Sequence, residues 1–230
     1  MKTNTLKKLV AALLLVAGFA IQANAQDWAN LQRYEEQNTQ LAKPAEGESR
    51  VVFMGNSITE GWIRNCPEFF SDNGYISRGI SGQTTPQMLL RFRADVINLQ
   101  PEVVVIMAGT NDVAGNTGPS TNEMIMNNLI SMAELARANN IRVIFCSVLP
   151  ANRFSWRPEL KPADQIIQLD SLIENYASAN GIPYVDFYSK MVDSEKGLKT
   201  EYSKDGVHPL KAGYEEVMNP MIREAIEKLL

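Results

Sequence analysis

Val103-Val104-Val105-Ile106-Met107-Ala108-Gly109-Thr110-Asn111-Asp112 begins as an almost unbroken run of β-branched residues and ends in a polar turn. A strand with one wet face alternates apolar and polar residues, whereas a continuous run requires cover on both faces, as in a parallel sheet flanked by helices. Val143-Ile144-Phe145-Cys146-Ser147-Val148 has the same character, and the two runs are expected to form the middle of the sheet. Outward from them, Arg50-Val51-Val52-Phe53-Met54, Tyr75-Ile76-Ser77 and Tyr184-Val185-Asp186-Phe187 complete five strand-like segments. Stretches of helical period separate them, which is βαβα spacing.

The intervening helices carry their own signals. Thr85-Pro86 opens a segment with Leu89, Phe92, Val96 and Leu99 at helical spacing, and Ser120-Thr121-Asn122-Glu123 forms a capping box ahead of Ile125, Leu129, Met132 and Ala136. A further helix is expected to turn Ile166, Leu169, Ile173 and Tyr176 inward, with Gly181 as its left-handed cap. The last, with Tyr214, Val217, Met221, Ala225 and Leu229 inward, contains Pro220, which should kink or divide it. Leu149 to Pro162 is a long irregular piece holding Arg153, Phe154, Trp156 and Arg157. A loop of that length in a compact domain is often functional.

At the N-terminus, Lys2, Lys7 and Lys8 precede the apolar run Leu9 to Ile21 and the small-x-small pattern Ala23-Asn24-Ala25. The run is shorter than the roughly 20 residues of a spanning helix, so residues 1–25 are expected to be a signal peptide and the protein to be periplasmic or secreted, without a stable membrane anchor. Residues 26–230 suffice for one domain with a real core and are short for two. A net charge of −4 without basic runs gives no reason to expect nucleic acid as a partner, and a small-molecule or glycan ligand fits better. Two cysteines and one histidine cannot assemble a Cys/His zinc cluster, and neither a metal nor a cofactor is expected. Cys66 and Cys146 could pair after export, but Cys146 lies inside an apolar strand, and buried free thiols are the expectation.

In open parallel sheets, ligands bind beyond the carboxyl ends of the strands. Four polar motifs fall there: Gly55-Asn56-Ser57-Ile58-Thr59, Arg78-Gly79-Ile80-Ser81-Gly82-Gln83-Thr84-Thr85, Gly109-Thr110-Asn111-Asp112, and Asp205-Gly206-Val207-His208-Pro209. A serine hydroxyl needs a base to become a competent nucleophile, and imidazole suits that task near neutrality. Taken alone, Ser57 would read as a turn residue and His208 as a helix cap. His208 is nonetheless the sole histidine, hence the only candidate base. Asp205 could hold its ring. The backbone N–H groups of Ser57 and Gly79 and the Asn111 amide could form an oxyanion hole, where each donor is worth about 3 kcal/mol. Asp112 is expected to serve as a cap or ion-pair partner.

These four motifs, in this order, resemble the four blocks of the SGNH hydrolases, also called GDSL esterases and lipases, and the resemblance extends from about Arg50 to Leu230. It implies Ser57 as nucleophile, Gly79 and Asn111 as oxyanion donors, and Asp205 with His208 as the rest of a triad. It also implies a flavodoxin-like three-layer α/β/α fold whose five-stranded parallel sheet has strand order 2-1-3-4-5. Gly-Asn-Ser-Ile-Thr-Glu-Gly-Trp and Arg-Gly-Ile-Ser-Gly look most similar to the branch of platelet-activating-factor acetylhydrolase catalytic subunits and bacterial carbohydrate acetylesterases. Asn56 stands where the family name has Asp, which removes a charge beside the nucleophile but no triad member.

The expectation is therefore an exported serine esterase releasing short acyl groups, most readily acetyl from carbohydrate, through an acyl-serine intermediate. Trp62, Phe154 and Trp156 are candidate substrate contacts. A lysophospholipase, thioesterase or platelet-activating-factor-type acetylhydrolase would use the same triad. A non-catalytic glycan-binding protein would be expected to lack part of it.

Overall fold

The structure, a computed structural model, describes residues 27–230, so the expected signal peptide over 1–25 lies outside it. Five strands, β1 (Val51–Gly55), β2 (Tyr75–Gly79), β3 (Val103–Met107), β4 (Arg142–Cys146) and β5 (Tyr184–Val185), form an all-parallel sheet in the order β2-β1-β3-β4-β5. This is the order the resemblance implied. In chain order the principal helices are α1 (Glu35–Gln40), α2 (Ser57–Asn65), α3 (Pro67–Ser71), α4 (Thr85–Asp95), α5 (Thr110–Val113), α6 (Asn122–Ala138), α7 (Ala163–Ala179), α8 (Tyr188–Met191) and α9 (Asn219–Leu229).

Alternation along each strand divides the core between two faces. Val52, Met54, Val104, Ile106, Val143 and Phe145 face α4, α6 and α7, where Met88, Phe92, Ile125, Leu129, Ile166 and Leu169 are buried. Val51, Phe53, Val103, Val105, Ile144 and Cys146 face the other layer, with Ile58 and Trp62 of α2, Phe69 and Phe70 of α3, and Ile222 and Ile226 of α9. Apart from Arg142 at the start of β4, the inner strands are apolar because neither face meets water. Cys66 and Cys146 are both free and buried, as expected.

Several local expectations shift. The helix opened by Thr85-Pro86 stops at Asp95 and continues as a 3-10 turn over Ile97–Leu99, so Val96 and Leu99 reach the core from outside it. The cap of α6 is Thr121, whose hydroxyl accepts the Met124 N–H at 3.2 Å. That is one residue later than the expected box. Gly181 does sit in the left-handed region after α7, at φ 64°. Pro220 does not divide the last helix: residues Gly213–Met218 form a π-helical segment that runs without a break into α9, whose first turn holds Pro220. Tyr214 and Val217 are buried as expected, whereas beyond them the fully buried positions are Met218, Ile222 and Ile226, with Met221, Ala225 and Leu229 only partly buried beside them.

Strand β2 is a sheet edge, and the segment before β1 covers it. The Tyr34 hydroxyl donates to the Gly79 carbonyl. Asn38 Oδ1 accepts from Arg78 Nε (2.9 Å) and Nη2 (2.7 Å), so the edge is closed by side chains instead of another strand.

Candidate active site

Asn56, between β1 and α2, caps the helix by accepting the Ile58 N–H on Oδ1 at 2.9 Å. An aspartate could accept the same bond, so the departure at this position preserves the local job. The cap fixes Ser57 as the first residue of α2, beside backbone donors that a helix start leaves unpaired. Gly55 is required by close approach: a Cβ there would overlap the Thr59 side chain and the Met107 carbonyl.

The candidate base arrives from the opposite end of the chain. Ser57 Oγ lies 2.9 Å from His208 Nε2, and His208 Nδ1 lies 2.7 Å from Asp205 Oδ2. With the Nδ1 proton donated to the carboxylate, Nε2 is left to accept the serine proton. Asp205 Oδ1 also accepts the N–H groups of Val207 (2.9 Å) and His208 (2.8 Å). Burial pushes the Asp205 carboxyl upward, but the hydrogen bonds from the His208 backbone, the His208 ring and the Val207 backbone outweigh it and bring it to about 2. Ser203, which no motif flagged, accepts the Gly206 N–H at 3.0 Å and lies 2.9 Å from the His208 carbonyl, closing the loop on itself. The ring therefore sits on a prefolded turn.

Asn111 projects from α5 and is buried. Its Nδ2 donates to the Gln83 carbonyl at 2.9 Å, which uses one of two amide protons and leaves the other. Asp112 does act as a cap. It accepts the Thr85 N–H at 3.0 Å and the Thr85 hydroxyl at 2.6 Å, tying α4 to α5, and burial raises its carboxyl to about 6 against the lowering effect of those bonds.

Gly79 requires correction. Successive residues of a strand direct N–H and C=O to alternate edges. The Ile80 N–H bonds to Gly55 on β1, whereas the Gly79 carbonyl meets Tyr34 at the outer edge, so the Gly79 N–H points the same outward way. Gly79 is demanded by packing instead, since a Cβ would overlap the Glu60 nitrogen and crowd the Asn56 carbonyl at 2.8 Å. The second glycine of the motif, Gly82, lies beyond the strand and directly precedes Gln83, whose carbonyl receives Asn111. Residues 80–83 form a turn closed by Gln83 N–H to Ile80 C=O (3.3 Å), with Gly82 at φ 78°. Among the described residues no acceptor takes the Gly82 N–H. A glycine three residues beyond another, at a turn position requiring positive φ, was the available signal.

Trp62 and Phe154 also require correction as substrate contacts: both are fully buried. Trp62 stacks on Phe69 and Tyr214, meets Phe53 edge-on, and donates Nε1–H to Asn219 Oδ1 at 2.6 Å, so its ring is spent in the core. Phe154 lies beneath Trp156, with ring centroids 5.0 Å apart. Trp156 alone is open, 40% exposed, and it is linked to the turn: Nε1–H donates to Asn116 Oδ1 at 3.1 Å, and Asn116 Nδ2 donates to the Gly82 carbonyl at 3.3 Å.

The family model described as GDSL-like Lipase/Acylhydrolase matches residues 53–216. A GDSL-like lipase of Bacteroides thetaiotaomicron VPI-5482 is 56% identical, with TM-score 0.86 over 88% of this chain and 99% of that one. An acylhydrolase of Bacteroides fragilis NCTC 9343 is 54% identical, with TM-score 0.87 over 89% and 99%. Esterase TesA of Pseudomonas aeruginosa PAO1 is 28% identical over 171 residues, 72% of this chain and 78% of that protein.

Proposed function

The chain belongs to the GDSL-like lipase/acylhydrolase family and is a hydrolase of ester bonds, and on that premise we propose that Ser57 is its nucleophile, His208 its base and Asp205 the acid that orients the base. The observation that carries this reading is the pair of hydrogen bonds joining Ser57 to His208 and His208 to Asp205, at 2.9 and 2.7 Å. His208 Nε2 takes the hydroxyl proton as Oγ attacks the ester carbonyl. The oxyanion is met by the N–H groups of Ser57 and Gly82 and the remaining Asn111 amide proton, each worth about 3 kcal/mol in the transition state. The imidazolium formed is stabilised by Asp205, which at its low pKa remains a carboxylate. His208 then hands the proton to the departing alcohol, and water, activated by the same ring, releases the acid from acyl-Ser57.

For the substrate we propose a short acyl group, acetyl foremost, on a carbohydrate alcohol met outside the cytoplasmic membrane. Supporting this are the signal-peptide pattern before Ala25, the lack of a long apolar insertion able to serve as a lid, and the indole of Trp156 held open beside the turn bearing Gly82. The test is hydrolysis of an aryl acetate by residues 26–230 and by Ser57→Ala, followed by acetylated xylan, pectin and sialic acid against esters of graded chain length. Equal rates for the two proteins sink the triad. A preference for long acyl chains sinks the acetyl reading.

A further inference from the structure

Gln83 and Arg91 have no place in the triad, yet both are buried, Arg91 completely. The guanidinium makes three bonds: Nη2 to the Gly55 carbonyl (3.0 Å), Nε to Gln83 Oε1 (2.5 Å) and Nη1 to Asp95 Oδ2 (2.8 Å). Gly55 is two residues before the nucleophile, and its carbonyl also receives the Ile80 N–H at 3.1 Å, where the turn bearing Gly82 begins. Gln83 ends that turn with both polar atoms of its side chain bonded. Its Oε1 takes Arg91, its Nε2 donates to the Ala29 carbonyl at 2.7 Å, and its main-chain carbonyl takes Asn111 Nδ2 at 2.9 Å. One buried cation therefore spans the two loops that present the attacking oxygen and the oxyanion donors, and one side-chain amide connects that cation to the segment before β1. Asp95, which compensates the charge, accepts in turn from Asn38 Nδ2 at 2.7 Å.

We infer that Gln83 and Arg91 are positioning residues for ester hydrolysis, fixing the distance between Ser57 and the oxyanion donors; the inference rests on the mechanism proposed above. Neither side chain touches substrate. A buried guanidinium with three acceptors in a fixed fork has one low-energy placement, and it transmits that placement to both loops. Transition-state stabilisation depends steeply on such spacing, while ground-state binding of a small ester depends on it little.

Gln83→Met removes both arms of the amide while preserving bulk, and Gln83→Glu retains an acceptor for Arg91. With 4-nitrophenyl acetate, Gln83→Met is expected to lower kcat by about ten-fold or more with KM within about two-fold, because misplacement by a fraction of an ångström acts on the transition state. Inactivation by a fluorophosphonate, whose tetrahedral adduct uses the same donors, should slow by a similar factor, while the titratable amount of Ser57 stays that of the wild type. Gln83→Glu should recover most of the loss. If Gln83→Met does not fold, Gln83→Asn, too short to reach Arg91 and Ala29 together, must show the same split. An unchanged kcat in a folded variant, or a fall in kcat matched by a fall in titratable Ser57, overturns the inference. Ser57-dependent hydrolysis by the wild type in that same experiment shows that the triad stands and the positioning role alone has failed. Without it, both fall.

Discussion

Ser57 Oγ and His208 Nε2 lie 2.9 Å apart across a sequence separation of 151 residues. The contact is long-range in the chain but short-range in the fold, because β1 delivers one partner and the loop before the last helix delivers the other to the same end of a parallel sheet. No second histidine exists to substitute. His208→Ala should therefore lose about 10³-fold or more in kcat/KM on an aryl acetate, with the melting temperature nearly unchanged at so open a site. Retention of activity within ten-fold would remove His208 from its role.

Asp205→Ala should cost less activity than His208→Ala, since it disorients the base without deleting it; the reverse order contradicts the assignment. The carboxyl also has a stability consequence. Its folded pKa, about 2, lies below the ordinary value, so its contribution is present above roughly pH 4 and is lost as pH falls toward 2. The side chain is 45% exposed, so solvent screening limits the effect to about 1 kcal/mol. Urea unfolding at pH 7 and pH 3 should differ less in Asp205→Asn than in the wild type.

Asp112 has the opposite sign. Its folded value near 6 lies above that of an unfolded aspartate, so the folded state holds the extra proton between about pH 4 and 6. Its contribution is whole below that window and is lost as pH rises through it, by at most about 3 kcal/mol. Asp112→Asn retains an acceptor for the Thr85 N–H without the charge. Its unfolding free energy should fall less than that of the wild type between pH 4.5 and 7.5, and parallel curves would refute the account.

The two glycines of Arg-Gly-Ile-Ser-Gly should fail differently. Gly79→Ala forces a methyl into the backbone of Asn56–Glu60 and should cost about 2–3 kcal/mol, whereas Gly82→Ala meets open space and pays only for its positive φ, about 1 kcal/mol. Chemical denaturation of both variants measures this. Equal losses would mean that packing does not distinguish the two positions.

That pair also marks how far the sequence could be read. Which runs are central strands follows from their unbroken apolar character, and the candidate triad from the position of four motifs at strand ends. The strand order came through the family resemblance, because local residues do not specify which strands pair. The direction of the Gly79 N–H depends on the edge toward which β2 turns each peptide, a property of pairing that no motif encodes, and that of Gly82 on the turn that follows the strand. Trp62 was legible in hindsight: it follows Ile58 by four residues on α2 and so shares its buried face. Phe154 was not, since a loop has no period to show which aromatic turns inward.

Of the three candidate contact aromatics, Trp156 is the one open to solvent. An exposed indole costs solvation unless something covers it, and this one is held by Phe154 beneath and Asn116 at its nitrogen, Asn116 being held in turn by the Gly82 carbonyl. A rigid apolar plate with its polar atom already satisfied suits the apolar face of a pyranose ring, which loses little entropy by stacking on it. Trp156→Ala should therefore raise KM for an acetylated xylo-oligosaccharide by about ten-fold, the worth of roughly 1.4 kcal/mol, while hydrolysis of ethyl acetate, too small to reach the plate, stays within two-fold. Asn116→Ala, which frees the indole without removing it, should give a smaller shift in the same direction. If Trp156→Ala slows both substrates equally, the side chain supports the loop and the carbohydrate reading loses its structural footing.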